Sequence, residues 1–542
     1  MFRFTPFLFL LIIFLSCAKE EKPLSPFNHT LYLINNQTNY NARGLEILPQ
    51  IKISFNGPIK MSSATDAIKL YGKNQIIDIN IMADNHDSSL LIQPLHPLDY
   101  LTTYDLLVDN RLEAQNGQKL ENIIQSRFTT KIDSTYKFPV ISDQTLLDSV
   151  QKRTLRYFWD FGHPISGMIR ERNTSGDLVT IGGTGFGIMA LMVGIERGFI
   201  SRQDGLERLL KITDFLLHKA DRFHGVFPHW MSGTSGKTIP FSTKDNGGDL
   251  VETSFLIAGL LCASEYFDQN ETAQIMLRDD IKNIWETVEW NWHTKGNEQV
   301  LYWHWSPTFQ WEMNHKIQGW NESLITYILA ASSPTYAINK EVYDQGWAKN
   351  GGMKNGKTFY GFPLPLGFDQ GGPLFFSHYS FLGLDPRNLR DNYGNYWEQV
   401  VHHSKINHAH CTANPKKFYG YKSDCWGLTA SDNPNGYNAH SPTNDHGVIS
   451  PTAALSSIPY TPEESMAALR YFYYVLGDKV YKDYGFIDAF HLQNVWFGSS
   501  FLAIDQGPII IMIENHRTGK IWNTMMKNKH IQEGLTKLGF TF

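Results

Sequence analysis

The chain has 542 residues, of which 42% are hydrophobic and 19% are charged, and its formal net charge is -5. A chain of this length can bury a large core and form one large domain beside a smaller one. This balance excludes a disordered chain and a basic nucleic-acid surface. Aromatic content is high, with 14 Trp and 25 Tyr beside 34 Phe. Flat rings also pack against sugars, so some of them are candidates for a ligand surface.

The first residues, MFRFTPFLFLLIIFLSC, have the pattern of a targeting segment. Arg3 supplies a positive start, Phe7 to Leu15 form a short apolar run, and Cys17 follows a small residue. This resembles a bacterial lipoprotein signal, which predicts a signal peptide over 1–16, a lipidated Cys17 and a tether over 17–24. The acidic Lys19-Glu20-Glu21 resembles a surface-export signal, so the predicted location is the outer membrane, at the cell surface or the periplasmic face. An uncleaved anchor helix is the alternative, but the apolar run is short for a bilayer.

Three further cysteines could be free thiols, disulfide partners or metal ligands. Cys262 lies in an apolar helical run and is predicted to be a buried thiol. Cys411 and Cys425 flank a polar loop and could pair in an oxidising compartment, which the sequence leaves open. His408 and His410 beside Cys411 resemble metal ligands only superficially, because the paired spacing of structural zinc sites is absent.

Residues 25–133 alternate with a period of two. Ile51, Ile53 and Phe55 are separated by polar residues, and Ile77, Ile79 and Ile81 repeat the pattern between turn signals. Short strands at regular spacing predict a β-sandwich. Pro97 to Thr130 resembles the last strands of bacterial Ig-like domains. A linker is predicted over 134–142.

Residues 143–542 have helical periodicity, with a helix-start signal at Ser201 and apolar residues at helical spacing after it. Long loops rich in Gly, Pro, Trp and Asn separate the helices, and such loops are usually functional. About a dozen helices without strand runs favour an (α/α) toroid of paired helices. Predicted helices include Thr184 to Gly198, Asp249 to Phe267, Thr272 to Trp292, Glu322 to Ser332, Pro373 to Leu384, Tyr396 to His408, Pro462 to Leu476 and Gln506 to Lys527.

The stretch from Lys244 to Ser254 places three acids at the mouth of an apolar helix. Asp249 and Glu252 are three residues apart and so project from one side of its first turn, while Asp245 lies in the preceding loop. This arrangement suits a site that cleaves sugars. The same spacing is also a capping box, which would make the two acids an ordinary helix start.

Two more acids begin helices in a similar way. Glu322 follows Trp320, and Asp505 precedes the apolar run that starts at Ile509. Each alone suits the positive end of a helix. In a toroid whose inner helices run parallel, however, these ends gather at one rim. Repulsion among gathered acids is costly unless a ligand or a raised pKa uses it, which favours a functional site.

Five long motifs are similar to those of the glucoamylase-like family, whose characterised members are β-1,2-glucanases of glycoside hydrolase family 144. The resemblance covers nearly all of residues 143–542. It implies an (α/α)6 barrel that hydrolyses β-1,2-linked glucose with inversion at the anomeric carbon and without a metal or other cofactor. The motifs are GGTGFGIMALMVGIERGFIS, KDNGGDLVETSFLIAGLL, GWNESLITYILAASSPTY, WGLTASDNPNGYNAHSPTNDHGVISPTAAL and IDQGPIIIMIENHRTG.

The resemblance assigns family acids to Asp245, Asp249, Glu252, Glu322 and Asp505. Glu322 is predicted to be the general acid, because a carboxyl beside Trp320 on a largely apolar helix should have a raised pKa. Asp505 is predicted to be the general base; in related enzymes its proton path runs through a substrate hydroxyl. The other three acids, together with Trp320, are predicted to bind the sugar.

An Ig-like domain before the helical domain resembles members that release the disaccharide sophorose from the non-reducing end. Endo cleavage is the alternative, because Ig-like spacers also precede endo-acting enzymes. Hydrolysis of α-glucan is a further alternative that the motifs favour less. From another functional class, a surface lipoprotein could capture glycan without cutting it, but binding needs no paired acid and base. The protein is predicted to be a monomer that meets the membrane only through its lipid.

Overall fold

The structure is a computed structural model that describes residues 25–542. The predicted signal peptide, the tether and the lipidation site Cys17 lie outside the described residues. The chain forms two compact units, one ending at Ile132 and the other spanning Asp133–Phe542.

The first unit consists of two β-sheets. Its elements are β1 (His29–Ile34), β2 (Asn41–Leu45), β3 (Ile51–Phe55), α1 (Met61–Ala67), β4 (Ile68–Gly72), β5 (Gln75–Ile77), β6 (Ile79–Asp84), β7 (Ser89–Pro94), β8 (Thr103–Val108) and β9 (Ile124–Thr130). One sheet has the order β1-β3-β7-β6 and the other β2-β9-β8-β4-β5. Both sheets contribute to one buried cluster, which includes Ile53, Leu106 and Phe128. This is the predicted sandwich arrangement.

The period-two pattern holds more strictly in β3 than in the following strands. Ile51, Ile53 and Phe55 are buried and alternate with half-buried Lys52 and Ser54, as predicted. Ile77 and Ile79 also lie in strands but are only half-buried. Periodicity therefore identified the strands better than it identified their burial.

The second unit is built mainly from helices. They are α2 (Asp143–Trp159), α3 (Ile181–Glu196), α4 (Arg202–His218), α5 (Leu250–Tyr266), α6 (Thr272–Glu286), α7 (Leu324–Ser332), α8 (Lys340–Val342), α9 (Tyr396–Ala413), α10 (Pro451–Leu455), α11 (Pro462–Arg470), α12 (Gly477–Val480), α13 (Ala503–Thr518), α14 (Lys520–Met525) and α15 (Lys529–Leu538). Within residues 25–542, no helix is both long and apolar enough to cross a bilayer.

Short antiparallel strand pairs decorate the loops between these helices. They are β10 (Leu178–Thr180), β11 (Trp230–Ser232), β12 (Thr238–Ile239), β13 (Gly248–Asp249), β14 (His304–Trp305), β15 (Thr358–Phe359), β16 (Phe362–Pro363), β17 (Ala430–Asn433), β18 (Gly436–Ala439), β19 (Tyr481–Lys482), β20 (Gly485–Phe486), β21 (Phe490–His491) and β22 (Trp496–Phe497). Parallel pairing is absent from the described second unit, in agreement with the prediction that it contains no parallel sheet.

Several predicted helices differ from those observed. The helix expected over Pro373 to Leu384 is instead two 3-10 turns, Leu374–Ser377 and Tyr379–Phe381. The helix expected from Gln506 to Lys527 is divided at Gly519, whose φ of 67° ends α13 in a left-handed residue. Glu322 precedes α7 rather than starting it.

Helices α3 and α5 cross at a point where neither can carry a side chain. A Cβ on Gly185 would collide with the backbone carbonyl of Phe255, and one on Gly259 would collide with the carbonyl of Gly185. Because backbone cannot move aside as a side chain can, both positions require glycine. This close approach brings together the first turns of α3 and α5, which carry the acidic site.

Replacing Gly185 with Ala is therefore expected to destabilise the second unit by about 3 kcal/mol through overpacking. Gly205→Ala is the matched control, because its Cβ would meet only side-chain atoms of Ile195 and Ile200, which can move aside. All 14 Trp residues lie after residue 132, so urea unfolding followed by tryptophan fluorescence reports on this unit alone. Equal midpoints for the two variants would contradict the packing argument.

Candidate active site

A cavity of about 470 Å³ lies in the second unit. It is lined by Glu171, Arg172, Thr180, His229, Trp230, Phe241, Glu252, Phe255, Trp303, Glu322, Phe375, Tyr379, Ala430, Tyr437, Ala439 and Ile504. The lining combines ionisable groups with many aromatic rings, the mixture that suits a polyhydroxylated ring with apolar faces.

Asp249 caps helix α5 and also binds a histidine. Its Oδ1 accepts the N–H groups of Val251 and Glu252, each at 3.0 Å, and its Oδ2 lies 2.9 Å from Nδ1 of His229. Burial lowers the pKa of His229, but the charges of Glu252 and Asp249 outweigh it and raise that pKa to about 9. Asp249 therefore fulfils the capping interpretation and also holds an imidazolium at the cavity wall.

Glu252 does not complete the capping box. Its Oε2 instead accepts the backbone N–H of Gly182, at 2.8 Å, in the first turn of α3. Burial, followed by the charge of Asp249, raises the pKa of Glu252 despite the nearby His229. Glu252 therefore joins the starts of two helices and presents its carboxyl to the cavity.

Asp245 lies beside Asp249, delivered by the preceding loop as predicted. It is 4% exposed, and its Oδ2 lies 3.3 Å from Nε2 of His304. Side-chain atoms of His229, Asp245 and Asp249 lie within 4.8 Å of one another and could together hold a metal ion. Both oxygens of Asp249 are already engaged, however, so binding a metal here would break the hydrogen bond between His229 and Asp249.

Asp249→Ala is expected to destabilise the second unit by about 3 kcal/mol, since it removes a cap and leaves a buried charge on His229 unpaired. The raised pKa of His229 makes part of this stability present below its ordinary value of 6.5 and lost as the pH rises through about 9. The loss measured by urea unfolding should therefore shrink across that window. Asp249→Asn, which keeps the cap, should show only the pH-dependent part; a pH-independent loss would contradict the ion pair.

Glu322 lies just before α7 and forms part of the cavity wall. Burial raises its pKa to about 7, and the charges of Glu252 and Asp249 act in the same direction. The raised pKa predicted from sequence is thus present, and the carboxyl retains a proton near neutrality. Its backbone carbonyl accepts a hydrogen bond from the Ser380 hydroxyl, which fixes the residue against the neighbouring 3-10 turn.

Trp320 does not line the cavity, contrary to the prediction that it binds sugar. Its side chain is only 1% exposed and packs near the rings of Phe381 and Tyr396, with centroid distances of 6.1 and 6.0 Å. A ring enclosed in this way cannot stack on a ligand. The exposed aromatic faces belong to other loops, notably Phe241 and Tyr437, which are 49% and 48% exposed.

Asp505 lies in the first turn of α13, as predicted, but behind the cavity wall rather than in it. It is 2% exposed, and burial together with Asp488 raises its pKa well above the ordinary value. Asp505 and the other acids surround the buried Tyr379. Burial is the main reason that the pKa of Tyr379 is raised, and the charges of Asp505, Glu322 and Glu252 raise it further. Four of the five predicted acids, namely Asp249, Glu252, Glu322 and Asp505, are thus close enough to shift the pKa of Tyr379 or of Glu322.

Sequence reasoning missed Glu171, Arg172 and Asp432. Arg172 binds Glu171 at 2.9 Å and Asp432 at 3.2 Å, and it separates the first cavity from a second one of about 520 Å³. Asp432 lies inside one of the quoted motifs, which was the available signal. Arg172 and Glu171 lie before the first quoted motif, and no spacing rule pointed to them.

The cysteine alternatives are resolved by local packing. Cys262, Cys411 and Cys425 are buried free thiols. His410 contacts Asp445 at 2.9 Å through Nε2. His410, one of the candidate metal ligands beside Cys411, therefore belongs to a buried hydrogen-bonded network.

Comparison with known proteins agrees with this architecture. Residues 314–529 match the family model described as "Putative glucoamylase", and residues 33–130 match the bacterial Ig-like domain. The chain is 47% identical over 421 residues to an exo β-1,2-glucooligosaccharide sophorohydrolase (non-reducing end) of Parabacteroides distasonis. That match covers 73% of this chain and 58% of the relative, so the chain spans little more than half of that protein's length.

Two solved structures are also similar. An endo-β-1,2-glucanase from Chitinophaga pinensis is 50% identical, with a TM-score of 0.73 over 74% of this chain and 99% of that one. A β-1,2-glucanase from Parabacteroides distasonis is 38% identical, with a TM-score of 0.72 over 95% of this chain and 73% of that one. The chain therefore belongs to the glucoamylase-like family, and a bacterial Ig-like domain precedes its family domain in sequence.

Proposed function

We propose that this protein is a glycoside hydrolase that cleaves β-1,2-linked glucose chains in the cavity of its second unit. The observation that carries the proposal is Glu322, a cavity-wall carboxyl whose pKa is raised to about 7, facing a wall rich in aromatic rings. Relatives named as β-1,2-glucanases support the linkage. The helices are proposed to form an (α/α)6 barrel, with the acids at one rim.

The proposed reaction inverts the anomeric carbon in one step. Glu322 gives its proton to the glycosidic oxygen as the bond to the anomeric carbon breaks, while water attacks from the opposite face. Asp505 receives the proton of that water. Because Asp505 lies behind the wall, the proton is proposed to pass through a substrate hydroxyl.

The remaining acids are proposed to hold the sugar. Glu252 is the member that lines the cavity, and a carboxyl there can accept hydrogen bonds from ring hydroxyls. Asp249 and Asp245 are buried, so their proposed role is to hold His229 and the loop in position rather than to contact the substrate directly. Trp303 and Phe241 replace Trp320 as the proposed stacking surfaces.

Exo action that releases sophorose from the non-reducing end is proposed over endo cleavage. The sophorohydrolase relative supports it, as does the similarity to a Parabacteroides distasonis enzyme across 95% of this chain, including the Ig-like unit. The similarity to an endo-acting enzyme keeps endo cleavage as the competing mode. Lipidation of Cys17 and attachment to the outer membrane are proposed from the sequence alone.

The mode of action can be tested with a β-1,2-linked glucopentaose whose reducing end has been reduced to the alditol. Exo action from the non-reducing end releases unlabelled disaccharide alone from the earliest times, with the alditol kept on the shortened remainder. Endo action gives disaccharide, trisaccharide and longer products together. If the only disaccharide formed carries the alditol, the enzyme instead attacks from the reducing end.

A further inference from the structure

A second buried aspartate lies directly against the proposed base. Asp488 and Asp505 are 1% and 2% exposed, and their carboxyl groups lie close enough for each to shift the pKa of the other. Oδ1 of Asp488 and Oδ2 of Asp505 are buried and have no hydrogen-bond partner among the described residues, so a proton shared between the two carboxyls would satisfy both. Asp488 was not among the site residues predicted from the sequence.

Two carboxylates cannot hydrogen-bond to each other, because an ionised carboxyl has only acceptors. A hydrogen bond between them requires one proton, and without it two charges would be buried side by side. Leaving both oxygens unsatisfied would also carry the full cost of burying unpaired polar atoms. The geometry is therefore satisfied only when the pair holds one proton and one negative charge.

The surroundings decide which member carries the charge. Burial and the charge of Asp432 raise the pKa of Asp488 to about 7. The backbone N–H of Asp432, which Asp488 accepts at 2.7 Å, and the positive charge of Arg172 act in the opposite direction and favour its ionised form. Asp505 instead faces the charges of Asp432 and Glu171, which favour its protonated form. The phenol of the buried Tyr379, which lies near Asp505, stays neutral because burial and the charge of Asp505 raise its pKa. The resting proton accordingly lies on Asp505.

We infer that Asp488 is the proton acceptor of a two-carboxyl relay, and that Asp505 acts as a base by passing its own proton to Asp488 while it takes another. This inference rests on the proposed function, which makes Asp505 the base. Asp488 does not touch substrate and is a positioning residue that lets a buried, protonated aspartate serve as a base.

The proton balance closes within the site. The water oxygen bonds to the anomeric carbon as the glycosidic bond breaks, and the proton of Glu322 moves to the leaving oxygen. The water proton reaches Asp505 through the substrate hydroxyl, and the earlier proton of Asp505 moves to Asp488. The pair ends neutral and Glu322 ends ionised, so return of one proton through solvent from the pair to Glu322 restores the starting state.

The shared proton can be detected without turnover. The background carries Glu322→Gln and Glu252→Gln, because these two carboxyls also have raised pKa values. At about pH 8, where ordinary carboxyls are ionised, infrared spectroscopy of this background should show an un-ionised carboxyl stretch from the pair. Adding Asp488→Asn or Asp505→Asn should remove it, because the new amide donates to the remaining carboxylate. Adding Asp445→Asn should not, since hydrogen bonds hold the pKa of that buried carboxyl below its ordinary range. A signal that survives Asp488→Asn would overturn the sharing.

Activity supplies the second arm of the test. Asp488→Asn alone should lower kcat on β-1,2-glucooligosaccharides by about 100-fold with KM changed less than about threefold, since the relay acts on the chemical step. A wild-type kcat in this variant overturns the relay and leaves the proposed function intact. If the unaltered protein cleaves no β-1,2-glucan, the proposed function fails, and the infrared result still decides whether the pair shares a proton.

Discussion

Glu322→Gln is expected to lower kcat on β-1,2-glucooligosaccharides by about 1,000-fold and to leave KM nearly unchanged, since general acid catalysis contributes on this scale. The amide keeps the shape of the side chain but cannot give up a proton to the glycosidic oxygen. Because the pKa of Glu322 is raised to about 7, the wild-type rate should also fall as the pH rises through that value and the acid ionises. The variant should lack this alkaline limb.

The leaving group separates proton donation from binding. An aryl β-sophoroside whose phenol leaves without protonation should be cleaved by Glu322→Gln at close to the wild-type rate. Glu207→Gln, an exposed glutamate on α4, is the matched control and should behave as wild type on both substrates. Equal losses on activated and natural substrates would assign Glu322 to sugar binding instead of acid catalysis.

Asp505→Asn is expected to lower kcat by about 1,000-fold on both the natural and the aryl substrate, because the base acts on water in either case. The measurement is the initial rate on each substrate with and without sodium azide. Azide attacks without losing a proton, so it should restore part of the rate and give the α-glycosyl azide from a β-linked substrate.

The anomeric configuration of that azide product distinguishes an inverting from a retaining mechanism. An α-azide fits direct attack in an inverting site, whereas a β-azide would indicate a covalent intermediate and a retaining enzyme. Full wild-type activity in Asp505→Asn would remove this residue from the chemistry. Glu171, which lines the cavity, would then be the next carboxyl to examine as the base.

The acids were predictable because each lies at or near a helix start that a local sequence pattern marks. Asp249 and Glu252 flank the start of α5, and Glu322 and Asp505 lie just before α7 and in the first turn of α13, positions that the helix-start patterns and the family resemblance predicted. Their surroundings depend on tertiary contacts: the bond from Gly182 to Glu252 joins two helices about 70 residues apart in sequence, as the two atoms lie 2.8 Å from each other. No local pattern encodes such a contact.

The remaining errors have similar causes. Trp320 lies two residues before Glu322, and this position beside the predicted acids suggested a sugar-binding ring, yet Phe381 and Tyr396 from distant segments enclose it. The segment after Pro373 is apolar enough for a helix but forms 3-10 turns, because its serine side chains bond to neighbouring elements, as Ser377 does with His403. Asp488 lies in a loop without helical periodicity, so only its contact with Asp505 identifies it.

The central claim, hydrolysis of β-1,2-linked glucose, is tested most directly by release of reducing ends from linear β-1,2-glucan. The unaltered protein should release them steadily from this polymer and negligibly from amylose, and Glu322→Gln should release almost none. Binding of the glucan without any release would instead make the protein a glycan-capturing protein. Faster release from amylose would contradict the proposed linkage.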